Sequence, residues 1–188
     1  MPLRVISGSA GGLLLKSPKR HALRPTQDRI RQVIFSSLAE IISGARVLDL
    51  YAGTGSFGIE ALSRGAERAV FVEQEREAAE CIRENLRHCK LTGGDVRQGD
   101  ALAYLDQADG ETFDLIFADP PYDKTRGALE DHPLLAKVAP RLSAKGTIVW
   151  EHFAEQQLGD NGNWHVLRHR TYGETGLTFL QLARENQP

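Results

Sequence analysis

Apolar positions recur along the chain with two spacings that alternate. Short β-like runs lie at 47–51, 68–73, 94–98 and 113–118, and the segments between them, at 56–64, 75–90 and 100–106, have helical spacing. Buried strands that alternate with amphipathic helices are typical of βαβ units around a parallel sheet. The pattern therefore predicts an α/β fold whose first four strands run parallel.

The last third of the chain changes this pattern. A helix is predicted at 127–140 and a fifth strand at 146–151, and two further β-like runs follow at 164–170 and 177–183. The connection between these last runs is too short for a helical crossover, so we expect an antiparallel pair. The whole prediction is a mostly parallel, seven-stranded sheet with helices on both faces and an antiparallel C-terminal strand.

The N-terminal region reads as a hairpin followed by a helix. Apolar runs at 3–7 and 13–16 flank a glycine-rich turn at 8–12, which favours a β-hairpin. Thr26 is the predicted N-cap of an amphipathic helix that continues without a break to Gly44.

Charge is distributed unevenly, although the net charge is only −2 over 188 residues. The first 35 residues carry seven Lys and Arg side chains and one acid, which leaves 16 basic and 24 acidic side chains for the rest. This asymmetry predicts a basic N-terminal surface that contacts phosphates, although a solvated polar segment would have the same composition. We expect a ridge of arginines along the loop and the polar side of the first helix. The candidate contacts are Arg4, Lys19, Arg20, Arg24, Arg29 and Arg31.

Several classes of protein are disfavoured by composition. No window approaches the ~20 apolar residues of a membrane span, and no signal-peptide core of ~7–15 apolar residues follows the start. Cys81 and Cys89 lie on one predicted helix about 12 Å apart, beyond the ~7 Å limit for a disulfide. The His and Cys spacings do not match zinc sites. We expect a cytoplasmic monomer with reduced thiols and no metal.

The stretch from Val47 to Gly58 predicts a strand, a tight turn and a helix start. Gly53 and Gly55 lack Cβ atoms, so their backbone can approach a ligand beside the exposed N–H groups of a helix N-terminus. Glu73 follows Gly53 by 20 positions, which suits a carboxylate that binds ribose hydroxyls. The turn therefore predicts a nucleotide-like cofactor, and the glycine spacing by itself fits NAD as well as other cofactors.

Acidic residues follow each of the first four predicted strands. In open parallel sheets, ligands bind outside the carboxyl ends of the strands, so these side chains predict a binding surface. Each acid could instead cap a helix, and that alternative is strongest for the third. The four residues are Asp49, Glu73, Asp100 and Asp119.

Asp119-Pro120-Pro121-Tyr122 carries the most specific chemistry. Consecutive prolines stiffen the segment, so the Asp119 carboxylate and the Pro120 carbonyl become two fixed acceptors, and Tyr122 offers a stacking surface worth ~1–3 kcal/mol. Such a set fits the exocyclic amino group of a base, whose nitrogen attacks the methyl group of S-adenosylmethionine. The alternative is a rigid proline turn with an incidental tyrosine.

Together these motifs resemble the RsmD-type methyltransferases of bacterial 16S ribosomal RNA, which modify guanine at N2. The resemblance extends over nearly the whole chain. The segments that carry it are Arg4–Gly8, Leu23–Thr26 with Arg29 and Arg31, Asp49–Gly55, Asp119–Tyr122 and Tyr172–Thr175.

The resemblance implies a Rossmann-like class I methyltransferase domain at 26–188, with residues 1–25 as an RNA-binding appendage. It implies S-adenosylmethionine as cofactor, and 16S rRNA or a small-subunit assembly particle as partner. Residues 119–122 would receive the target base, Glu73 would hold the ribose, and Asp100 would bind the adenine amino group. Asp49, Gly53 and Gly55 would surround the methionine part, and Tyr51, Thr54, Gln74 and Ala101 would complete the cofactor site.

Three alternatives stay open at this point. An amino methyltransferase that acts on adenine N6 in DNA, or on another RNA, would use the same acceptor pair, but DNA enzymes usually carry a recognition domain for which 188 residues leave no room. An NAD-dependent oxidoreductase explains the glycines and gives residues 119–122 no role. A non-catalytic RNA-binding module would not need all four acids.

Overall fold

The computed structural model describes residues 3–18, 25–107, 110–121, 132–156, 158 and 163–183, with the backbone alone at 25–28. Its centre is a seven-stranded sheet with the order β3-β2-β1-β4-β5-β7-β6. The fold class predicted from the sequence is confirmed. The strands are β1 Arg46–Leu50, β2 Arg68–Glu73, β3 Gly94–Gln98, β4 Phe113–Ala118, β5 Leu142–Phe153, β6 Trp164–Tyr172 and β7 Thr175–Leu182.

Pairing in the sheet is parallel from β3 through β5 and antiparallel for β7 and β6. Strand order reverses between β1 and β4, which lie side by side at the centre. Their carboxyl ends therefore form the crevice in which open α/β sheets bind ligands. β5 begins at Leu142, four residues before the predicted start at 146, so its pairing with β4 is longer than the apolar run indicated.

Helices cover both faces of the sheet. The first predicted helix is wrong in one respect, because it is broken at Leu38, where φ is −105° and ψ is 5°. The Ser37 hydroxyl donates to the Val33 carbonyl at 3.0 Å, a local bond that competes with the helix ladder. The helices are α1 Pro25–Ser37, α2 Ala39–Ile42, α3 Ser56–Ser63, α4 Arg76–His88, α5 Ala101–Gln107 and α6 Pro133–Val138.

Two apolar cores result, one on each face. We call them the α1-side core, which contains residues of α1, α3 and α4, and the α5-side core, which contains residues of α5 and α6. Consecutive strand residues alternate between the two cores, as the strand geometry requires. In the α1-side core, Phe57 stacks on Phe117 at 5.0 Å and Phe35 lies 5.5 Å from Phe117. This cluster fixes α1 and α3 above the carboxyl end of β4.

The N-terminal segment folds back on itself and packs on α3. Arg4 and Leu14 form an antiparallel bridge, and backbone bonds from Leu15 to Leu3 at 2.8 Å and from Val5 to Leu13 at 2.9 Å flank it, so the predicted hairpin is present as a short pairing. The fully buried Glu60 carboxylate accepts bonds from the backbone N–H groups of Ile6 at 2.6 Å and Ser7 at 3.0 Å. The segment is therefore anchored through its backbone, and the division of the chain at residue 25 stays a prediction.

Asn85 of α4 connects this segment to the glycine turn. It is fully buried, its Oδ1 accepts from the Lys16 N–H at 2.8 Å, and its Nδ2 donates to the carbonyls of Lys16 and Thr54 at 3.0 and 3.2 Å. One amide therefore satisfies backbone groups from two separate parts of the chain.

The two cysteines are free thiols, and both are buried. Burial raises the pKa of Cys81 and of Cys89, which keeps them protonated and unreactive. Within the described ranges, no group of three or more His, Cys, Asp or Glu side chains is arranged to hold a metal ion. None of the helices in the described part of the chain has the length and apolar character needed to cross a bilayer.

Candidate functional site

A cavity of about 510 Å³ lies at the carboxyl ends of the central strands, where the strand order reverses. One half of its lining comes from the glycine turn and the ends of β2 and β3. We call this the cofactor half. The other half comes from the segment after β4, the end of β5, and parts of α1, α3 and the N-terminal segment, and we call it the base half.

The glycine turn uses a left-handed backbone, as its glycines predicted. Gly53 and Gly55 have φ values of 54° and 74°, and Gly55 is the residue immediately before α3. Tyr51 has a φ of 58°, a conformation that costs a non-glycine residue ~1–3 kcal/mol and is concentrated at functional sites. The turn thereby presents Tyr51, Gly53 and Thr54 to the cavity.

Gly58 is the third glycine after β1, and it lies where α3 packs against β2. A Cβ atom at this position would lie 2.3 Å from Cε1 of Phe71 on β2, well inside van der Waals contact. The residue therefore lets α3 pack closely on the sheet, which keeps the N-terminus of α3 directed at the cavity.

Glu73 binds the turn itself. Its side chain is only 7% exposed, Oε2 accepts from the Gly53 N–H at 2.7 Å, and Oε1 accepts from the Glu75 N–H at 2.7 Å. An ionised carboxylate offers about four acceptor sites, so these two bonds leave room for ribose hydroxyls. Glu73 also lines the cavity, together with its neighbour Gln74, so the structure places both where the sequence predicted.

Asp49 lies beneath the turn and is absent from the cavity lining. It is 1% exposed, and its Oδ2 accepts from the Gly58 N–H at 2.9 Å. The pKa of Asp49 is raised to about 8, chiefly by burial and in smaller part by the charge of Glu73, against the opposing effect of the bond from the Gly58 N–H. Direct contact with the methionine part, which we expected of Asp49, stays a prediction, and the structure shows a role in holding the first turn of α3. Gly55 is likewise buried behind the lining.

Asp100 caps the N-terminus of α5, which was the alternative to a role in cofactor binding. Its side chain is exposed, and Oδ1 accepts from the Ala103 N–H at 2.8 Å at the start of α5. The cavity is lined by its neighbours Gly99 and Ala101 rather than by Asp100. Its contact with adenine stays a prediction.

The base half contains Asp119, Pro120 and Pro121 at the end of β4. Asp119 is partly buried, and Pro121 is exposed. Tyr122 lies outside the described residues. The structure therefore brings the stiff acceptor segment and the glycine turn to one cavity, as their positions at the carboxyl ends of strands predicted.

Glu151 is a lining residue that the sequence analysis missed. It is 9% exposed and lies near the end of β5, one position past Trp150, which pairs with Ala118 of β4. The signal was present, because Glu151 is an acid that follows the buried run of a parallel strand, as Asp119 does.

We predicted that Arg31 lies on the polar side of α1. The structure instead buries it in the cavity wall, with 2% of its surface exposed. The N-terminal segment covers this side of the helix, and the Arg31 guanidinium donates to the Arg4 carbonyl. Helical spacing placed Arg31 on the polar face, but its contact with Arg4, 27 residues earlier in the chain, makes it an internal residue. Arg4 and Arg29 are exposed. Lys19, Arg20 and Arg24 lie outside the described residues.

Comparisons with known proteins agree with this geometry. The family model described as "Conserved hypothetical protein 95" matches residues 3–181. "Putative rRNA methyltransferase YlbH" of Bacillus subtilis is 39% identical over 95% of this chain and 98% of its own length. "Ribosomal RNA small subunit methyltransferase D" of Escherichia coli K12 is 33% identical over 98% and 92%. The solved structure "Putative methyltransferase yhhF from Escherichia coli" has a TM-score of 0.84 at 31% identity, and the match covers 98% of this chain and 100% of that one.

Proposed function

The chain belongs to the RsmD family, and from that premise we propose that it transfers the methyl group of S-adenosylmethionine to the exocyclic N2 of a guanine in 16S ribosomal RNA. The observation that carries the proposal is that Asp119 and Pro120 line the same cavity as the glycine turn and Glu73. The proposed site for the methyl donor and the proposed site for the target base therefore share one cavity.

The residues present fit this cofactor. The cavity volume of about 510 Å³ lies within the ~300–1,000 Å³ usual for small-molecule sites. Glu73 supplies acceptors for ribose hydroxyls, and the left-handed turn brings backbone close to the ligand. When bound, the cofactor supplies an electrophilic methyl group on a sulfonium.

One side chain and one backbone carbonyl of the base half orient the nucleophile. Asp119 and the Pro120 carbonyl accept hydrogen bonds from the amino group, so that the nitrogen lone pair is directed at the methyl carbon. Positive charge develops on that nitrogen during attack, and the Asp119 carboxylate stabilises it. The nitrogen gives up its proton readily once it carries the methyl group, so no strong base has to act first.

The RNA must bring its base to the cavity from outside a duplex, in a loop or flipped out of the stack. Phosphate contacts position the RNA, and the cavity selects the base. We assign the phosphate contacts to the exposed Arg4 and Arg29 and to the N-terminal cations Lys19, Arg20 and Arg24.

Labelled methyl transfer tests the proposal directly. The enzyme is incubated with labelled S-adenosylmethionine and either naked 16S rRNA or small-subunit particles, and the product nucleoside is identified by mass. We expect N2-methylguanosine, whereas N6-methyladenosine would assign the protein to the rival class. Thermal stabilisation by NAD and not by S-adenosylhomocysteine would refute the proposed cofactor.

A further inference from the structure

Two carboxylates lie next to each other on the wall of the base half. Ala118 of β4 and Trp150 of β5 are the last parallel pair, and Asp119 and Glu151 are the residues that directly follow this pair. Neighbouring strands are about 4.8 Å apart, which sets the approximate separation of the two backbones. Both residues line the cavity.

The strand pattern places Glu151 on the α1-side face of β5, and Asp119 directly follows the end of β4. Phe117 and Val149 belong to the α1-side core, and residues two positions apart in a strand share a face. Asp119 and Glu151 are two positions beyond these residues. The base half therefore has a pair of acidic groups side by side, where the proposed reaction uses only one.

Glu151 and Asp114, two acids of the same sheet, differ in their position relative to the cavity. Asp114, near the opposite end of β4, accepts from the Arg46 guanidinium at 3.2 Å and from the Arg46 N–H at 3.0 Å, and it lines no part of the cavity. Glu151 is more deeply buried than Asp114 and yet lines the cavity. A buried acid on a ligand-binding wall selects for ligands that carry a hydrogen-bond donor.

The Watson–Crick edge of guanine has two adjacent hydrogen-bond donors, which match the two adjacent acidic side chains of the base half. Its N2 amino group and its N1–H are adjacent donors, whereas adenine, 2-aminopurine and 2,6-diaminopurine have a lone pair at N1. An ionised carboxylate only accepts hydrogen bonds, so it pairs with N1–H and repels a lone pair. The second carboxylate therefore distinguishes guanine from every purine that lacks a proton on N1.

We propose that Glu151 is the specificity-determining residue for guanine, accepting the N1–H bond while Asp119 and Pro120 hold the N2 amino group. The inference rests on the proposed function and adds the residue that selects the base. Glu151 takes no part in the methyl transfer itself. It excludes purines whose amino group could otherwise occupy the same acceptors.

The expected discrimination is large. A site built to bond a substrate N–H rejects an analogue that lacks it by up to ~10⁴–10⁵-fold, because the acceptor then meets a lone pair in place of a donor. For 2-aminopurine, which keeps the amino group at position 2, we expect kcat/KM with the native protein to be at least ~100-fold below that for guanine.

The test uses RNA oligonucleotides that differ only at the target base, which is guanine, 2-aminopurine or 2,6-diaminopurine. In Glu151→Gln, the amide N–H can donate to an N1 lone pair. The ratio of kcat/KM for guanine to that for 2-aminopurine should therefore fall by at least ~100-fold. Glu155→Gln alters an exposed acid four positions further on and should leave the preference unchanged. An unchanged preference in Glu151→Gln would overturn the proposal.

The rates of the native protein on these substrates provide a second test that does not depend on any variant. If it methylates guanine and 2-aminopurine at equal rates, Glu151 does not select the base and the inference fails, while the proposed function stands. If it forms no N2-methylguanosine from the guanine substrate, the proposed function itself fails.

Discussion

The two halves of the cavity are built in different ways. The cofactor half comes from three short turns, at 51–56, 73–75 and 99–101, each of which directly follows a strand. The base half combines Leu3, Arg31, Phe57 and Asp119 with Glu151, residues spread over most of the chain. Backbone geometry therefore shapes the first half, and tertiary packing shapes the second. We expect substitutions in the cofactor half to change cofactor binding, and those in the base half to change catalysis and RNA selection.

The largest expected effect is in the base half. Asp119→Ala removes the acceptor that orients the amino group and stabilises its developing charge, so methyl transfer should fall by ~10²–10³-fold or more. Calorimetric affinity for S-adenosylhomocysteine should stay within about threefold of the native value, because Asp119 lies in the other half. Near-normal turnover in this variant would remove Asp119 from the mechanism.

The reciprocal change is Glu73→Gln in the cofactor half. The amide would turn an N–H towards Gly53 or Glu75, whose own N–H groups now donate to the carboxylate. We expect ~1–3 kcal/mol of destabilisation and ~10–100-fold weaker binding of S-adenosylhomocysteine. The guanine preference should not change. A shift in base preference with intact cofactor affinity would show that the two halves are not separable in this way.

A matched pair of glycines tests the anchoring of the N-terminal segment. Gly8 and Gly12 have φ values of 85° and 86°, so alanine strains both equally. A Cβ at Gly8 would lie 1.9 Å from the Ser63 carbonyl oxygen, whereas nothing lies within 4 Å of one at Gly12. Gly8→Ala should be ~1–3 kcal/mol less stable than Gly12→Ala in denaturant unfolding. Its RNA methylation should fall while cofactor affinity is retained. Equal stabilities would show that the segment does not depend on this contact.

Asp49 gives the cofactor half a dependence on pH. Its pKa rises from 3.8 to about 8, so the folded state binds more protons than the unfolded state between these values. The free energy of unfolding should therefore fall as pH rises through this interval, by up to ~1.4 kcal/mol per pH unit. Asp49→Asn should remove this contribution, and urea unfolding at several pH values measures it. A slope identical to that of the native protein would assign the pH dependence to other groups.

The smallest effect is expected at the RNA surface. Arg29→Glu reverses the charge of one exposed side chain on α1. RNA binding should therefore weaken, and the dependence of the affinity on salt concentration should become shallower by about one phosphate contact. Filter binding over a range of salt concentrations gives the slope. An unchanged slope would exclude Arg29 from the RNA interface.

The difference between the halves also explains what could be predicted from the sequence. The glycine turn, Glu73 and the segment from Asp119 follow directly from strand ends and from the conformations that glycine and proline favour. All three line the cavity at least in part.

The errors have different causes. Arg31 was assigned to the polar side of α1 because helical spacing does not contain the information that the N-terminal segment covers it. The break at Leu38 lies beside a local bond from the Ser37 hydroxyl to the Val33 carbonyl, which apolar periodicity does not register. Glu151 could have been found by the rule that found Asp119, since both follow buried parallel strands.

The contacts of the N-terminal segment also determine the order of folding on the ribosome. Ile6 bonds to Glu60 and Lys16 bonds to Asn85, across separations of 54 and 69 residues. At ~5–20 residues synthesised per second, those partners emerge several seconds after the segment itself. The N-terminal segment therefore reaches its final place only after α3 and α4 have been synthesised, and the wall that it forms beside Arg31 closes at that stage.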